Sequence, residues 1–194
     1  MHTYLPKVFC FVDDFNKDYI KNLDKKIAII FRNYDQKHST TLLKQLCKFC
    51  KKIGKRVFLA NDIKSAVILK FDGVYIPSFN KKIYTKNLRK NNTFLFLGSA
   101  HNTKEVREKE GQGVDLIFLS PVFKVKKSRK NLDVNKFNLI ANSSKSKMIA
   151  LGGFNNSNLK KLKILKAYGF ASISFFKKKG PKNEAFFKYL NNNT

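Results

Sequence analysis

A single α/β domain closed into a (β/α)8 barrel is the fold this sequence predicts, on three observations. Short apolar runs alternate with helical patterns from one end of the chain to the other. Eight such runs can be counted, and alternating β and α with right-handed crossovers leaves a doubly wound sheet or a closed barrel. The last two runs end in residues suited to an anion: Lys147-Met-Ile-Ala-Leu-Gly152-Gly153, then Phe170-Ala-Ser-Ile-Ser174 after an intervening helix. A glycine pair lets backbone amides approach a charged oxygen, and strands seven and eight are where such barrels usually hold phosphate. At 194 residues the chain is long enough for one domain, 1–194, with short loops.

The elements follow in order. The first run, Val8–Val12, precedes a short helix near Lys17–Leu23. Ile27–Arg32 leads into a helix over Ser39–Ile53, with Ser39 as its cap and Gly54 where a left-handed residue ends it. Val57–Asn61 is followed by a helix at Ile63–Leu69, and Val74–Pro77 by a short one near Tyr84–Arg89. Thr93–Ser99 precedes a helix at Thr103–Glu110, where Asn102 and Glu105 have the spacing of a capping box. Leu116–Phe123 precedes Asn135–Ala141. Met148–Gly152 precedes a helix at Asn158–Ala167, which Gly169 is expected to terminate. Ala171–Phe175 is the eighth strand, and Asn183–Leu190 a last helix. Several strands are continuous Val/Ile/Leu/Phe runs, as parallel strands buried on both faces require.

Composition narrows the partners. The formal net charge is +27, which raises nucleic acid and anionic membranes as candidates. Only five of the 40 basic residues are arginine, the side chain suited to bidentate phosphate and guanine contacts. The lysines run through nearly every segment, so the bulk of them read as solvated surface. No specific nucleic-acid partner is expected, and no apolar run approaches the roughly 18 residues of a membrane span. The amino terminus lacks a basic region followed by a cleavage site, which points to the cytoplasm. Cys47-Lys-Phe-Cys50 matches C-x-x-C, but it lies in a helical pattern without a second ligand pair. Both cysteines are expected to pack in the core.

In a barrel of this kind chemistry sits in the loops after each strand. Those positions hold Arg32-Asn-Tyr34, Asn61-Asp62, Tyr75 to Asn80, Ser99-Ala-His101-Asn102, Ser120-Pro-Val-Phe123, Gly152-Gly153 and Ile173-Ser174. The ordered set of Asn61-Asp62, Gly98-Ser-Ala-His-Asn102, Ser120-Pro-Val-Phe123, Ala150-Leu-Gly-Gly153 and Ala171-Ser-Ile-Ser174 resembles the thiamine phosphate synthase family, which includes the related thiazole tautomerases. The resemblance runs over roughly residues 6–176.

It implies a reaction joining a hydroxymethylpyrimidine diphosphate to a thiazole phosphate, releasing pyrophosphate with help from Mg2+. Small phosphorylated pyrimidine or thiazole ligands are therefore the expected partners. Carried over residue by residue, Gly152, Gly153, Ile173 and Ser174 hold the thiazole phosphate, Ser99 stands close to the reacting centre, Asn61 contacts substrate, and Asp62 is a metal ligand. Arg32 is what remains of a Gln-x-Arg-x-Lys pyrophosphate cradle, here Ile30-Phe-Arg32-Asn-Tyr34. Losing two charge-assisted donors at about 1.5–3 kcal/mol each would cost roughly two to four powers of ten in rate if nothing compensates. The second metal carboxylate is replaced by Asn80, and a Pro-Thr-x-Thr-Lys segment by Lys124-Val-Lys-Lys-Ser-Arg-Lys130. Lys126 and Lys127 of that segment are candidate phosphate binders, and with Lys124, Arg129, Lys130 and Lys177 to Lys179 they are expected to form a positive funnel over the mouth. Pro121 stands where a tautomerase histidine is expected. Two readings remain open: a synthase, or a phosphate-ligand-binding homologue that has lost the cradle.

Overall fold

The structure is a computed structural model that describes residues 5–34, 39–84, 93–126, 128 and 130–176. Eight strands run parallel and close on themselves in sequence order, β8 pairing with β1. They are β1 (Val8–Val12), β2 (Ile27–Phe31), β3 (Val57–Ala60), β4 (Gly73–Ile76), β5 (Leu95–Ala100), β6 (Leu116–Leu119), β7 (Lys147–Leu151) and β8 (Gly169–Ser172). The helices are α1 (Lys17–Asn22), α2 (Thr40–Lys52), α3 (Ile63–Ile68), α4 (Thr103–Gly111) and α5 (Asp133–Asn142). The expected helices at Tyr84–Arg89, beyond Tyr84, and at Asn183–Leu190 lie outside the described residues. Among those described, no helix is long and apolar enough to cross a membrane.

Alternation along each strand sorts side chains into two cores. Phe9, Phe11, Ile30, Phe58, Tyr75, Leu97, Phe118 and Ile149 fill the barrel, while Val8, Cys10, Ile29, Val57, Val74, Phe96 and Ile117 face the helices. The interior is aromatic. Phe118 takes Phe9 and Tyr75 edge-on at 4.9 and 5.4 Å between ring centroids, and Phe11 meets Tyr75 at 5.2 Å. Each such pair adds about 0.5–1.5 kcal/mol beyond the area it buries. Cys47 and Cys50 are buried on the inner face of α2, and burial pushes the Cys50 thiol up to about 12.

Three expectations are corrected. The segment Asn158–Ala167 is a 3-10 turn over Leu159–Ile164. Its apolar residues Leu159, Leu162 and Leu165 recur every three positions and all pack on the core, which suits three residues per turn. Gly169 begins β8 instead of ending a helix, because a Cβ there would strike the Lys7 carbonyl of the neighbouring chain segment. Finally, β6 stops at Leu119. The Ser120–Pro121 peptide is cis, yet Val122 and Phe123 still donate to Leu151 O and Gly152 O at 3.0 and 3.1 Å. The chain therefore keeps following β7 to its end. By contrast Gly54 ends α2 with a φ of 70°, as expected.

Candidate active site at the barrel mouth

The carboxyl ends of the eight strands converge on one rim, and the candidate residues fall into two arcs of it. On the first arc, β7 and β8 pair in register with Leu151 opposite Ala171. Gly152–Gly153 and Ile173–Ser174 thus leave neighbouring strands side by side. Gly152 and Gly153 have φ of 96° and 75°, a conformation other residues adopt at a cost. A Cβ on Gly153 would also collide with the Phe123 backbone. Their carbonyls are engaged: Phe123 N donates to Gly152 O at 3.1 Å, and Asn158 Nδ2 to Gly153 O at 2.8 Å. Ile173 and Ser174 are exposed, while the buried Ser172 hydroxyl accepts from Phe175 N at 3.0 Å and fixes the turn after β8.

The second arc follows β2 to β5. Arg32 N donates to Val12 O at 2.7 Å, and the guanidinium lies over the Phe11 ring at 4.8 Å. Ser99 is buried on the inward face of β5 next to the Tyr75 phenol. Burial raises that phenol above the ordinary tyrosine range; the Ser99 hydroxyl and the Arg32 charge only partly oppose it. Tyr75 is therefore a neutral polar group at the floor of the mouth. Asn61 adopts a φ of 59°, and its Oδ1 accepts from Asn80 Nδ2 at 2.7 Å, tying the β3 and β4 loops together.

Asp62 and Asn80 bear on the magnesium expected here. Asp62 Oδ1 accepts from Ser65 N at 2.9 Å and caps α3. The Asn80 amide donates to Asn61 and to the Tyr84 hydroxyl, and its Oδ1 accepts from Lys82 N at 3.0 Å. Among the described residues no three His, Cys, Asp or Glu side chains are grouped to hold a metal ion. Asp62 is thus the carboxylate at the expected place, with Oδ1 spent on the cap and an engaged amide beside it. Magnesium is bound through one or two carboxylates together with substrate phosphates, so this arc would hold it only with a phosphorylated ligand.

Of the expected lysine funnel, Lys124, Lys126 and Lys130 are exposed, whereas Lys127, Arg129 and Lys177 to Lys179 lie outside the described residues. His101 is exposed and its Nδ1 pairs with Glu105 Oε2 at 2.8 Å, a helix-start contact.

Sequence reasoning missed a buried cation beneath this arc. Lys109, on α4 and 1% exposed, donates to Pro77 O, Asn80 O and Gln112 Oε1 at 2.7–2.8 Å. Gln112 Nε2 adds bonds to Asn80 O and Lys82 O at 3.0 and 2.8 Å. Together they pin the 77–82 loop. A recess lined by Lys51, Lys70, Asp72 and Phe94 opens elsewhere, beside residues that precede β4 and β5.

Fold and rim define a β/α-barrel protein whose candidate ligand site lies at the carboxyl ends of its strands. The model of the thiamine monophosphate synthase family matches residues 19–176, and the chain belongs to that family. It is 26% identical over 185 residues to "Putative thiamine-phosphate synthase 2" of Aquifex aeolicus, covering 89% of this chain and 98% of that protein. A thiamine-phosphate synthase of Prochlorococcus marinus is 28% identical over 62% of this chain, which spans only 35% of that protein's length. Among solved structures, the thiamine phosphate pyrophosphorylase of Pyrococcus furiosus superposes with a TM-score of 0.69 at 20% identity. That match covers 87% of this chain and 86% of the other, and shows the fold.

Proposed function

We propose that this chain is a cytoplasmic transferase of the thiamine phosphate synthase type, joining a pyrimidine to a thiazole phosphate. The observation that carries this reading is the Gly152–Gly153 pair, held at positive φ beside the end of β8 with its carbonyls engaged. What such a pair offers a ligand is N–H, and with the Ser174 hydroxyl it makes a cradle for a phosphate monoester. The methylene carbon–oxygen bond breaks first, its electron pair leaving on pyrophosphate, and the thiazole nitrogen then adds to the cationic pyrimidine methylene to form the carbon–nitrogen bond. Arg32 is the guanidinium placed to take the charge on that leaving group, stiffened by its stack on Phe11. Ser99 and Tyr75 line the floor beneath the reacting methylene.

The test incubates purified chain with thiazole phosphate, hydroxymethylpyrimidine diphosphate and Mg2+. Thiamine phosphate above the level of an Arg32→Ala variant supports the reading, and its absence removes it. A second reading, ligand binding without coupling, is favoured by Asn80, whose side-chain oxygen accepts from Lys82 N where the synthases place a carboxylate. Calorimetric binding of thiazole phosphate without turnover would select it.

A further inference from the structure

We infer that the Tyr34–Phe79 corner of the mouth is a subsite for a planar heteroaromatic ring, gripping a pyrimidine by its face instead of by a diphosphate. The two rings come from the loops after β2 and β4. They meet edge to face at 5.7 Å, across the end of the intervening β3. Tyr34 is 45% and Phe79 64% exposed, so an apolar face of each remains open to a ligand. Rings held this way are the platform on which bases stack, since every heteroaromatic ring has a π-face to offer.

The platform is built before any ligand arrives. Phe79 sits in the loop that Lys109 and Gln112 pin from below, and Asn80 beside it is bonded to Asn61. Arg32, two residues before Tyr34, is braced on Phe11. A ligand entering here pays little to order the protein. The cradle positions after β2 also favour the ring over the diphosphate as the handle. A diphosphate is held by several charge-assisted donors, and of Ile30, Arg32 and Tyr34 in those positions one is charged. Ile30, in the first cradle position, is buried in the barrel interior, and Tyr34, in the last, is a ring. The Tyr34 phenol stays protonated through the neutral range, available as a neutral donor to a ring nitrogen. This deepens the proposed function by naming how the pyrimidine partner is recognised, but it does not depend on coupling taking place.

The experiment titrates the full chain with unphosphorylated hydroxymethylpyrimidine. The chain has no tryptophan, so Tyr34→Trp keeps an aromatic surface and supplies a single reporter. Its emission should shift on adding the pyrimidine. By calorimetry, Tyr34→Ala and Phe79→Ala should each weaken the pyrimidine about tenfold, while circular dichroism confirms that both remain folded. No measurable binding to the wild-type chain would overturn the inference. So would wild-type affinity in both alanine variants. If the pyrimidine binds through Tyr34 and Phe79 but no thiamine phosphate forms, the synthase reading fails and this one stands. Coupling that is indifferent to both rings overturns the subsite and leaves the synthase reading standing.

Discussion

The two arcs of the barrel mouth are built from different materials. The β7–β8 arc offers a ligand backbone: two glycines at positive φ, their carbonyls satisfied by Phe123 and Asn158, beside an exposed Ser174. The β2–β5 arc offers side chains, namely Arg32 on Phe11, the Tyr34–Phe79 pair, and Asn61 bonded to Asn80. A cradle of backbone depends on φ and on close packing, so only substitutions that disturb those remove it. A cradle of side chains changes whenever one residue does. The residues expected from the resemblance to hold phosphate are accordingly present on the first arc, whereas those expected for pyrophosphate and metal are changed on the second.

The largest expected effect breaks the backbone arc. Gly153→Ala forces a Cβ into the left-handed region and against the Phe123 backbone. It should cost about 2–5 kcal/mol in urea unfolding and abolish thiazole phosphate binding by calorimetry. A variant that binds as the wild type does would show that the phosphate lies elsewhere. Next is Arg32→Lys, which keeps the charge but gives up the planar stack on Phe11. Thiamine phosphate formation should fall about tenfold with thiazole phosphate affinity unchanged, which separates the two arcs kinetically. Smaller again, Asn80→Asp sets a carboxylate against Asn61 Oδ1 and should lower stability by about 1–2 kcal/mol. Added Mg2+ should recover part of that loss in the variant and leave the wild type unmoved. A wild type stabilised equally by Mg2+ would refute the account of this arc as one that holds the cation only with a phosphorylated ligand.

What can be read from the residues follows the same division. The strands are legible because each is a continuous apolar run buried on both faces, and the glycine pair because only backbone constraints explain it. The segment after β7 misleads: Leu159, Leu162 and Leu165 repeat every three residues, a period that a search for helical faces accepts as α. Asp62 has two claims on it, as a ligand after a strand and as the first cap of the Ile63–Leu69 helix, and the structure uses its Oδ1 for the cap. The Tyr34–Phe79 contact joins loops far apart in the chain, so no local pattern reveals it. Lys109 is hidden for another reason. One lysine on a helix in a chain this basic reads as solvated surface, and only the packing of the 77–82 loop over α4 makes it a buried tether.

That tether supplies the smallest and sharpest test, because its charge and its burial are in conflict. Burial lowers Lys109 to about 8, opposed by Glu108 and Glu105 and assisted by Lys81. An ordinary lysine titrates at about 10.4. Between those values the unfolded chain keeps a proton that the folded chain has released, so this group makes stability rise with pH. Lys55, buried against Leu23 O and Asp24 O and also lowered to about 8, acts in the same direction. Cys47 and Cys50, raised by burial, act in the opposite one. A Lys109→Met variant leaves those other groups in place, so the difference between the two pH profiles isolates Lys109. Urea unfolding from about pH 7 to about pH 9.5 should show the wild type gaining on the variant, by less than about 1.4 kcal/mol per pH unit, the ceiling for one proton. Parallel profiles would mean that folding leaves the Lys109 titration where it is in the unfolded chain, its three acceptors offsetting the cost of burial.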